Sequence, residues 1–475
     1  MNVVSNRSVA VIGAGWAGLS AAVRLQQAGF ACTIFEAARV AGGRARRVEW
    51  TLADGRTLAL DNGQHILIGA YRETLALCAE LGIVEETAFE RTPFRLVASS
   101  GFELRAPHWP APWHLLAAIV SARGLSMRDR LALLAFMHRA RRLGWALASD
   151  CSVAALLQAW KQPATLIRAL WAPLCIAALN TPLANASAQV FLNVLRDSLA
   201  ATRSASDLLI PRVDLGALLP DAALARLCGH VQVRLGTRVQ TIELTTDGVT
   251  IASGPSASEL AHQRFDAAVL AVPATEAARL IAPLAARDAS FERLLGDCSR
   301  FAFQPIVTAY LAYRTAPFWR ATMMALADDP SRACYGQWAF DRSDRLRTAT
   351  SPQEARESRN EAANKLLAVV ISADGPHREL SQAALLDALA AQLATQLGMS
   401  RRPLAAHLIT EKRATFACVP SLGRPESATP HPRLVIAGDY TASHDQLRHY
   451  PATLETAVTS GREAARVVVA RLSKG

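Results

Sequence analysis

Lysine is almost missing from this chain: of its 51 Lys and Arg residues, only Lys161, Lys365, Lys412 and Lys474 are lysines. The formal net charge of +11 is therefore carried by arginine. An arginine-heavy, Ala- and Leu-rich composition is what GC-rich codons produce, so charge alone selects neither nucleic acid nor an anionic membrane as partner. No compact basic run with interleaved aromatics is present, which argues against nucleic acid. Paired cysteines are missing too. Cys32, Cys78, Cys151, Cys175, Cys228, Cys298, Cys334 and Cys418 include no CxxC. That predicts free thiols behaving as small hydrophobes, a reducing cytoplasmic compartment and no structural metal. Long apolar runs are the third absence. The most apolar stretch, near Leu166 to Leu179, is broken by Arg168 and Pro173, short of the roughly 20 residues a membrane-spanning helix needs. No apolar leader precedes the first strand. The expectation is a soluble or peripheral protein.

What is present is a large core. With 475 residues, 51% hydrophobic and 19% charged, the chain exceeds one ordinary hydrophobic core and calls for two domains. Ser8 to Ile12 reads as a buried strand, Ala17 to Ala28 as a helix and Phe30 to Glu36 as a second strand, a mononucleotide-binding βαβ order. Val48 to Leu60 reads as a hairpin turning at Ala53-Asp54-Gly55. Helices dominate Trp113 to Leu199. Strands return at Val231 to Leu235, Val239 to Leu244, Val249 to Ala252 and Phe265 to Val272, then at Phe301 to Tyr313, Tyr335 to Phe340 and Leu366 to Ser372. A helix follows at Ser381 to Leu397, then a buried strand at Leu434 to Ala437 and a helix at Pro451 to Leu472 with proline in its first turn. The predicted class is α/β: a Rossmann-type domain of residues 1–90, 205–295 and 410–475, with a discontinuous, mixed α+β substrate domain of residues 91–204 and 296–409 inserted.

The chemistry starts at Gly13-Ala14-Gly15-Trp16-Ala17-Gly18. Gly13 makes the strand-to-helix turn, Gly15 lets the backbone approach a pyrophosphate, and Gly18 lets helix pack on strand. The helix N-terminus offers aligned N–H groups to phosphate. Glu36, ending the second strand, is placed to accept from ribose hydroxyls. Two further features separate FAD from NAD. Ala41-Gly42-Gly43-Arg44-Ala45 follows the second strand directly, and Gly438-Asp439 follows a buried strand far downstream. An extended cofactor needs both: Gly43 and Arg44 along its length, and a carboxylate and a helix N-terminus towards the flavin.

The segments GAGWAGL, EAARVAGGRAR, LDNGQHILIGAY and VIAGDYT…YPATLETAVTSGREAA together resemble the flavin amine oxidase and phytoene desaturase superfamily. Within it they most resemble the hydroxysqualene dehydroxylases of bacterial hopanoid biosynthesis. Asp61-Asn62-Gly63-Gln64-His65 and Tyr450-Pro451-Ala452-Thr453-Leu454-Glu455 carry the narrower likeness. The resemblance covers roughly the first 75 and last 45 residues by motif and the middle by layout. It implies FAD contacts at Gly13, Gly15, Gly18, Glu36, Gly43, Arg44, Gly63, Gln64, Val239 and Asp439, with Leu454 near the flavin ring. Two departures stand out. Thr453 occupies the position where amine oxidases carry an aromatic residue of the amine cage, and Thr456 replaces a glycine, which disfavours an amine. The stretch Ser443 to His449 is longer than the expected link.

The implied reaction replaces an allylic C–OH by C–H, and it needs a proton for departing water and a hydride from reduced flavin. His65 is the first candidate proton donor and Tyr450 the second; each could equally be structural, the one bonding a carbonyl, the other packing on flavin or substrate. His108, His114, His444 and His449 read as exposed loop histidines. The implied partners are an apolar isoprenoid and an electron donor that the residues do not identify. Trp109-Pro110-Ala111-Pro112-Trp113 with the basic amphipathic stretch Arg128 to Arg142 reads either as a peripheral membrane contact or as a solvated helix face. Competing functions are a carotenoid-type desaturase, another oxidase of the superfamily, or a non-catalytic flavin-binding scaffold.

Overall fold

The computed structural model describes residues 7–254, 259–317, 321–347, 364–442 and 449–473. Strands Val231–Arg234, Ala31–Phe35, Ser8–Ile12, Ala267–Leu270 and Leu434–Ile436 form, in that order, one parallel sheet. Apart from the edge strand Val231–Arg234, their near-continuous apolar runs are what a sheet covered on both faces requires. One face is covered by helices Trp16–Gln27 and Leu454–Leu472. These approach so closely that a Cβ at Gly461 would lie 2.1 Å from the Ala17 carbonyl oxygen. Ser20 Oγ donates across the same contact to the Val458 carbonyl at 2.9 Å. The other face packs on an antiparallel sheet of Val239–Thr245, Gly248–Ser253 and Ala261–Phe265, with Phe35 edge-on to Phe265. The parallel sheet is thus assembled from three separate chain segments, as a discontinuous α/β unit.

A second, antiparallel sheet runs in the order Met323–Ala325, Trp338–Asp341, Lys365–Ser372, Phe303–Tyr313, Ala405–Phe416. Helix Gln382–Leu397 covers one face through Leu385, Leu389 and Leu393. Ser381 caps its start by accepting from Ala384 N, and Gly398 ends it in the left-handed conformation. The opposite face merges with the helical layer Trp113–Ser121, Met127–Arg142, Val153–Ala159, Ala172–Leu179 and Ala188–Ser198. A π-helical turn at Ile167–Trp171 leads into the fourth of these.

Four expectations need correction. The run Phe265 to Val272 is not one strand. Asp266 breaks it by accepting from Ser8 N at 2.7 Å and Ser8 Oγ at 3.2 Å, so the chain turns between Ala261–Phe265 and Ala267–Leu270. The last helix starts at Leu454, not Pro451. Thr453 and Thr456 close a reciprocal capping box that leaves Pro451 outside. Ala405–Phe416 forms a long strand at the edge of its sheet that the periodicity did not announce, since half-buried Glu411 and exposed Lys412 and Arg413 interrupt it. The expected boundary between 409 and 410 falls inside it. Finally, His114 is fully buried within its helix, while His108 is exposed as expected. His449, also expected to be exposed, is half-buried, and His444 lies outside the described residues.

Candidate functional site

The glycine-rich loop ends the first strand at the centre of the parallel sheet. Gly13 adopts a φ of +107°, and a Cβ there would meet the Ala271 carbonyl oxygen at 2.3 Å. A Cβ on Gly18 would lie 1.9 Å from the Gly13 carbonyl oxygen. Gly15 is different. Its backbone is ordinary, and a Cβ would find only the Gly43 Cα, at 3.9 Å. Open space therefore faces the start of helix Trp16–Gln27, which has no side-chain cap and no acidic residue in its first turn. Gly42 N donates to the Ala14 carbonyl at 2.8 Å, so the AGGRA segment runs beside the loop. An anionic pyrophosphate lying against these two glycine backbones fits this cradle.

Glu36 holds the same loop: its Oε2 accepts from Ala14 N at 2.7 Å and its Oε1 from Ala38 N at 2.8 Å. Thr237 N donates to the Glu36 carbonyl at 2.7 Å, which brings Val239 to that strand end. The Val239 carbonyl accepts from Arg279 at 2.8 Å. Arg44 reaches Asp439 at 2.8 Å and the Ala414 carbonyl at 2.8 Å. Gly438 N, just before that carboxylate, donates to Ser460 Oγ at 2.9 Å, which ties the end of the last strand to the C-terminal helix. Asn62 donates to the Arg44 carbonyl and to Glu411, carrying the Asp61–His65 segment to the same place. There Gln64 donates to the His65 carbonyl, and its Oε1 is buried without a protein partner. An unsatisfied buried acceptor costs stability unless something supplies a donor, and a heteroaromatic ring with an N–H would do so.

His65 Nε2 would be 3.7 Å from a Cβ placed on Gly63. Burial, and secondarily the charge of Arg44, push its pKa down to about 4. The ring is neutral at physiological pH, which removes the imidazolium form expected of a strong proton donor. Tyr450 sits in a charged triad instead. Its hydroxyl donates to Asp197 and accepts from Arg196 Nη2 at 3.3 Å, while Arg196 clasps Asp197 at 2.7 and 2.9 Å. Burial, followed by the bond to Asp197, raises its pKa to about 12, so it stays protonated. Four residues before Asp197 on the same helix, Asn193 Nδ2 donates to the His449 carbonyl at 3.0 Å.

Helix Ala188–Ser198 thus grips the segment leading into Leu454, and Leu454 itself is buried. Glu455 secures this junction by accepting from the N–H groups of Glu73 and Thr74, each at 2.9 Å, at the start of helix Arg72–Glu80. Leu195 and the following Leu199 line an apolar cavity with Leu115, Ile119, Leu133 and Met137. One helix therefore joins an apolar cavity to a polar triad. Sequence reasoning missed Asp197, Arg196 and Glu455. The adjacent Arg196-Asp197 pair in an otherwise uncharged helix was the available signal.

A family profile described as flavin containing amine oxidoreductase matches residues 16–469. The hydroxysqualene dehydroxylase of Rhodopseudomonas palustris is 27% identical over 98% of this chain and 99% of its own length. The zeta-carotene desaturase of Capsicum annuum is 24% identical over 97% of this chain and 80% of its own. In fold, a solved oxidoreductase from Methanosarcina mazei aligns over 97% of this chain and 100% of that one, with a TM-score of 0.70 at 16% identity.

Proposed function

The chain belongs to the flavin-containing amine oxidoreductase family, and from that premise we propose that this FAD-dependent oxidoreductase reductively removes the hydroxyl of hydroxysqualene to give squalene. The reading is supported by the match to a dehydroxylase over nearly the whole of both chains, where the desaturase match leaves a fifth of the relative unaligned. The observation that carries it is the junction at helix Ala188–Ser198, an apolar cavity on one side and a protonated Tyr450 on the other. A long hydrocarbon offers almost nothing to hydrogen-bond, so leucine, methionine and aromatic side chains suit it; the cavity measures only about 30 Å³, so the lining helices must spread to admit it.

FAD would be held by Gly13, Gly15, Gly43, Arg44 and Asp439, and when reduced would supply a hydride. The rest falls to the chain. Hydroxide is a poor leaving group, so a proton must reach the hydroxyl oxygen as the C–O bond breaks. The carbon takes a hydride, and substrate, hydride and proton become alkene and water. Tyr450 gives that proton in this scheme; Asp197, fixed by Arg196, orients its hydroxyl, and a proton from solvent restores it after turnover. Neutral His65 orients the substrate hydroxyl from the other motif. Since such a substrate partitions into bilayers, peripheral membrane contact belongs to the same reading. Among the described residues no helix is long and apolar enough to cross a membrane.

The test is anaerobic mixing of photoreduced enzyme with hydroxysqualene. Flavin reoxidation with formation of squalene is expected, and deuterium introduced at flavin N5 should appear at the carbon that bore the hydroxyl. If instead the oxidised enzyme bleaches on meeting a saturated isoprenoid while the reduced enzyme is inert, the redox sense is that of a desaturase.

A further inference from the structure

Exposed large hydrophobic side chains are not scattered evenly over this molecule. Among the described residues eleven stand out into solvent, and seven of them lie between residues 109 and 143. On helix Trp113–Ser121 they are Trp113, Leu116 and Val120, spaced three and four residues apart and hence on one face. Trp109 precedes them, and Met127 and Leu131 continue the apolar surface on the first turns of Met127–Arg142, the helix packed beside it. Neither helix needs these residues for its core. His114, Ala118 and Ile119 bury the first, and Leu133, Phe136 and Ala140 the second.

Charge gives the surface its partner. From Arg105 to Leu143 the chain carries seven arginines and one carboxylate, Asp129, which is buried in the Ser126 capping box. Arg123, Arg128, Arg141 and Arg142 are exposed around the apolar face. A second protein subunit would meet this rim with carboxylates, and among residues 105–143 another copy of the chain brings none that is exposed. An anionic bilayer offers apolar depth and a negative border together. Directly inside the same two helices lies the apolar cavity, to which they contribute Leu115, Ile119, Leu133 and Met137.

We propose that Trp109 to Leu131 is a bilayer-docking face, which inserts Trp113, Leu116, Val120, Met127 and Leu131 among the acyl chains of an anionic membrane. Exposed arginines hold the headgroups, and a lipid-borne substrate passes inward between the two helices to the cavity. The substrate rests on the function proposed above; the docking face does not.

The experiment uses the holoenzyme and vesicles of phosphatidylcholine alone or mixed with anionic phosphatidylglycerol, without substrate. Cosedimentation with the anionic vesicles only, reduced by salt, is expected. Lipids brominated in the acyl chain should quench tryptophan fluorescence, and Trp109→Phe with Trp113→Phe should abolish that quenching. Replacing Trp113, Leu116 and Val120 by Ser should remove binding while flavin content and turnover of detergent-dispersed hydroxysqualene stay unchanged. Replacing Arg128, Arg141 and Arg142 by Gln should weaken binding on the order of 10²-fold, each charge being worth about fivefold. Wild-type enzyme that stays off anionic vesicles, or a serine variant that still binds them, overturns the proposal. So does a wild-type dimer that the serine variant converts to monomer without any vesicle dependence. Enzyme that dehydroxylates in detergent yet ignores vesicles sinks the docking face and leaves the function standing; vesicle binding without dehydroxylation does the reverse.

Discussion

Gly15→Ala separates the cofactor's space from the protein's own packing. Gly15 has φ −73° and ψ 176°, a conformation alanine adopts freely, and its new Cβ would touch nothing nearer than the Gly43 Cα at 3.9 Å. Alanine is a poorer helix N-cap than glycine, a loss of roughly 1 kcal/mol. It also restricts the unfolded chain, a gain of about 0.4–1 kcal/mol. The two nearly cancel, so the apoprotein should melt within a few degrees of wild type. The pyrophosphate, in contrast, needs the volume the methyl takes. Displacing it would forfeit at least two charge-assisted hydrogen bonds at the helix start, about 1.5–3 kcal/mol each. The sum, roughly 3–6 kcal/mol, corresponds to FAD binding weaker by about 10²–10⁴-fold. Titrating apoprotein with FAD, followed by flavin fluorescence, measures this directly. Gly18→Ala is the control. Its Cβ would sit 1.9 Å from the Gly13 carbonyl oxygen, so the fold itself should lose stability, about 1–3 kcal/mol or more. A Gly15→Ala protein that binds FAD within about threefold of wild type would refute the placement of the pyrophosphate.

Asp439→Ala strands Arg44, whose side chain is one-third exposed. It should weaken the apoprotein by roughly 1.5 kcal/mol, the low end for a charged hydrogen bond, and lower flavin affinity too. Denaturant unfolding that shows neither effect would remove Asp439 from the site. Tyr450→Phe should slow flavin reoxidation by hydroxysqualene about 10²–10⁴-fold without altering the bound flavin's spectrum; near-normal rates would return Tyr450 to a packing role. His65 is held near 4 in the folded chain against an ordinary 6.5. The unfolded chain therefore takes up this proton first as pH falls. Stability from neutral His65 is complete above about pH 6.5 and drains away towards pH 4. His65→Gln should flatten that part of the acid limb, and superimposable stability–pH curves would show that His65 does not titrate there.

Legibility followed the range of the forces involved. The inner parallel-sheet strands were readable as apolar runs, and Ser8 to Ile12 matches its strand residue for residue. Strand Ala405–Phe416 was not readable: as an edge element it interleaves charged and apolar residues, and its ladder with Phe303–Tyr313 alone defines it. The end of the run at Phe265 depends on Asp266 meeting Ser8, 258 residues away in sequence. His114 looked like a loop histidine because proline surrounds it. Its burial comes from where Trp113–Ser121 lands, with Leu115 and Ile119 turned inward to the cavity.

By itself the sequence determined whatever sterics and periodicity settle within a few residues. Gly13, Gly15 and Gly18 must open a helix after a strand, and no apolar run in the sequence reaches the roughly 20 residues a membrane-spanning helix needs. Only the tertiary structure decided which charges meet. Arg44 finds Asp439 across 395 residues and Tyr450 finds Asp197 across 253. His65, first choice as proton donor on its motif, is made neutral by burial and by that same Arg44. Protonation is set by desolvation and by the nearest charges, and these belong to the packed molecule rather than to any stretch of chain.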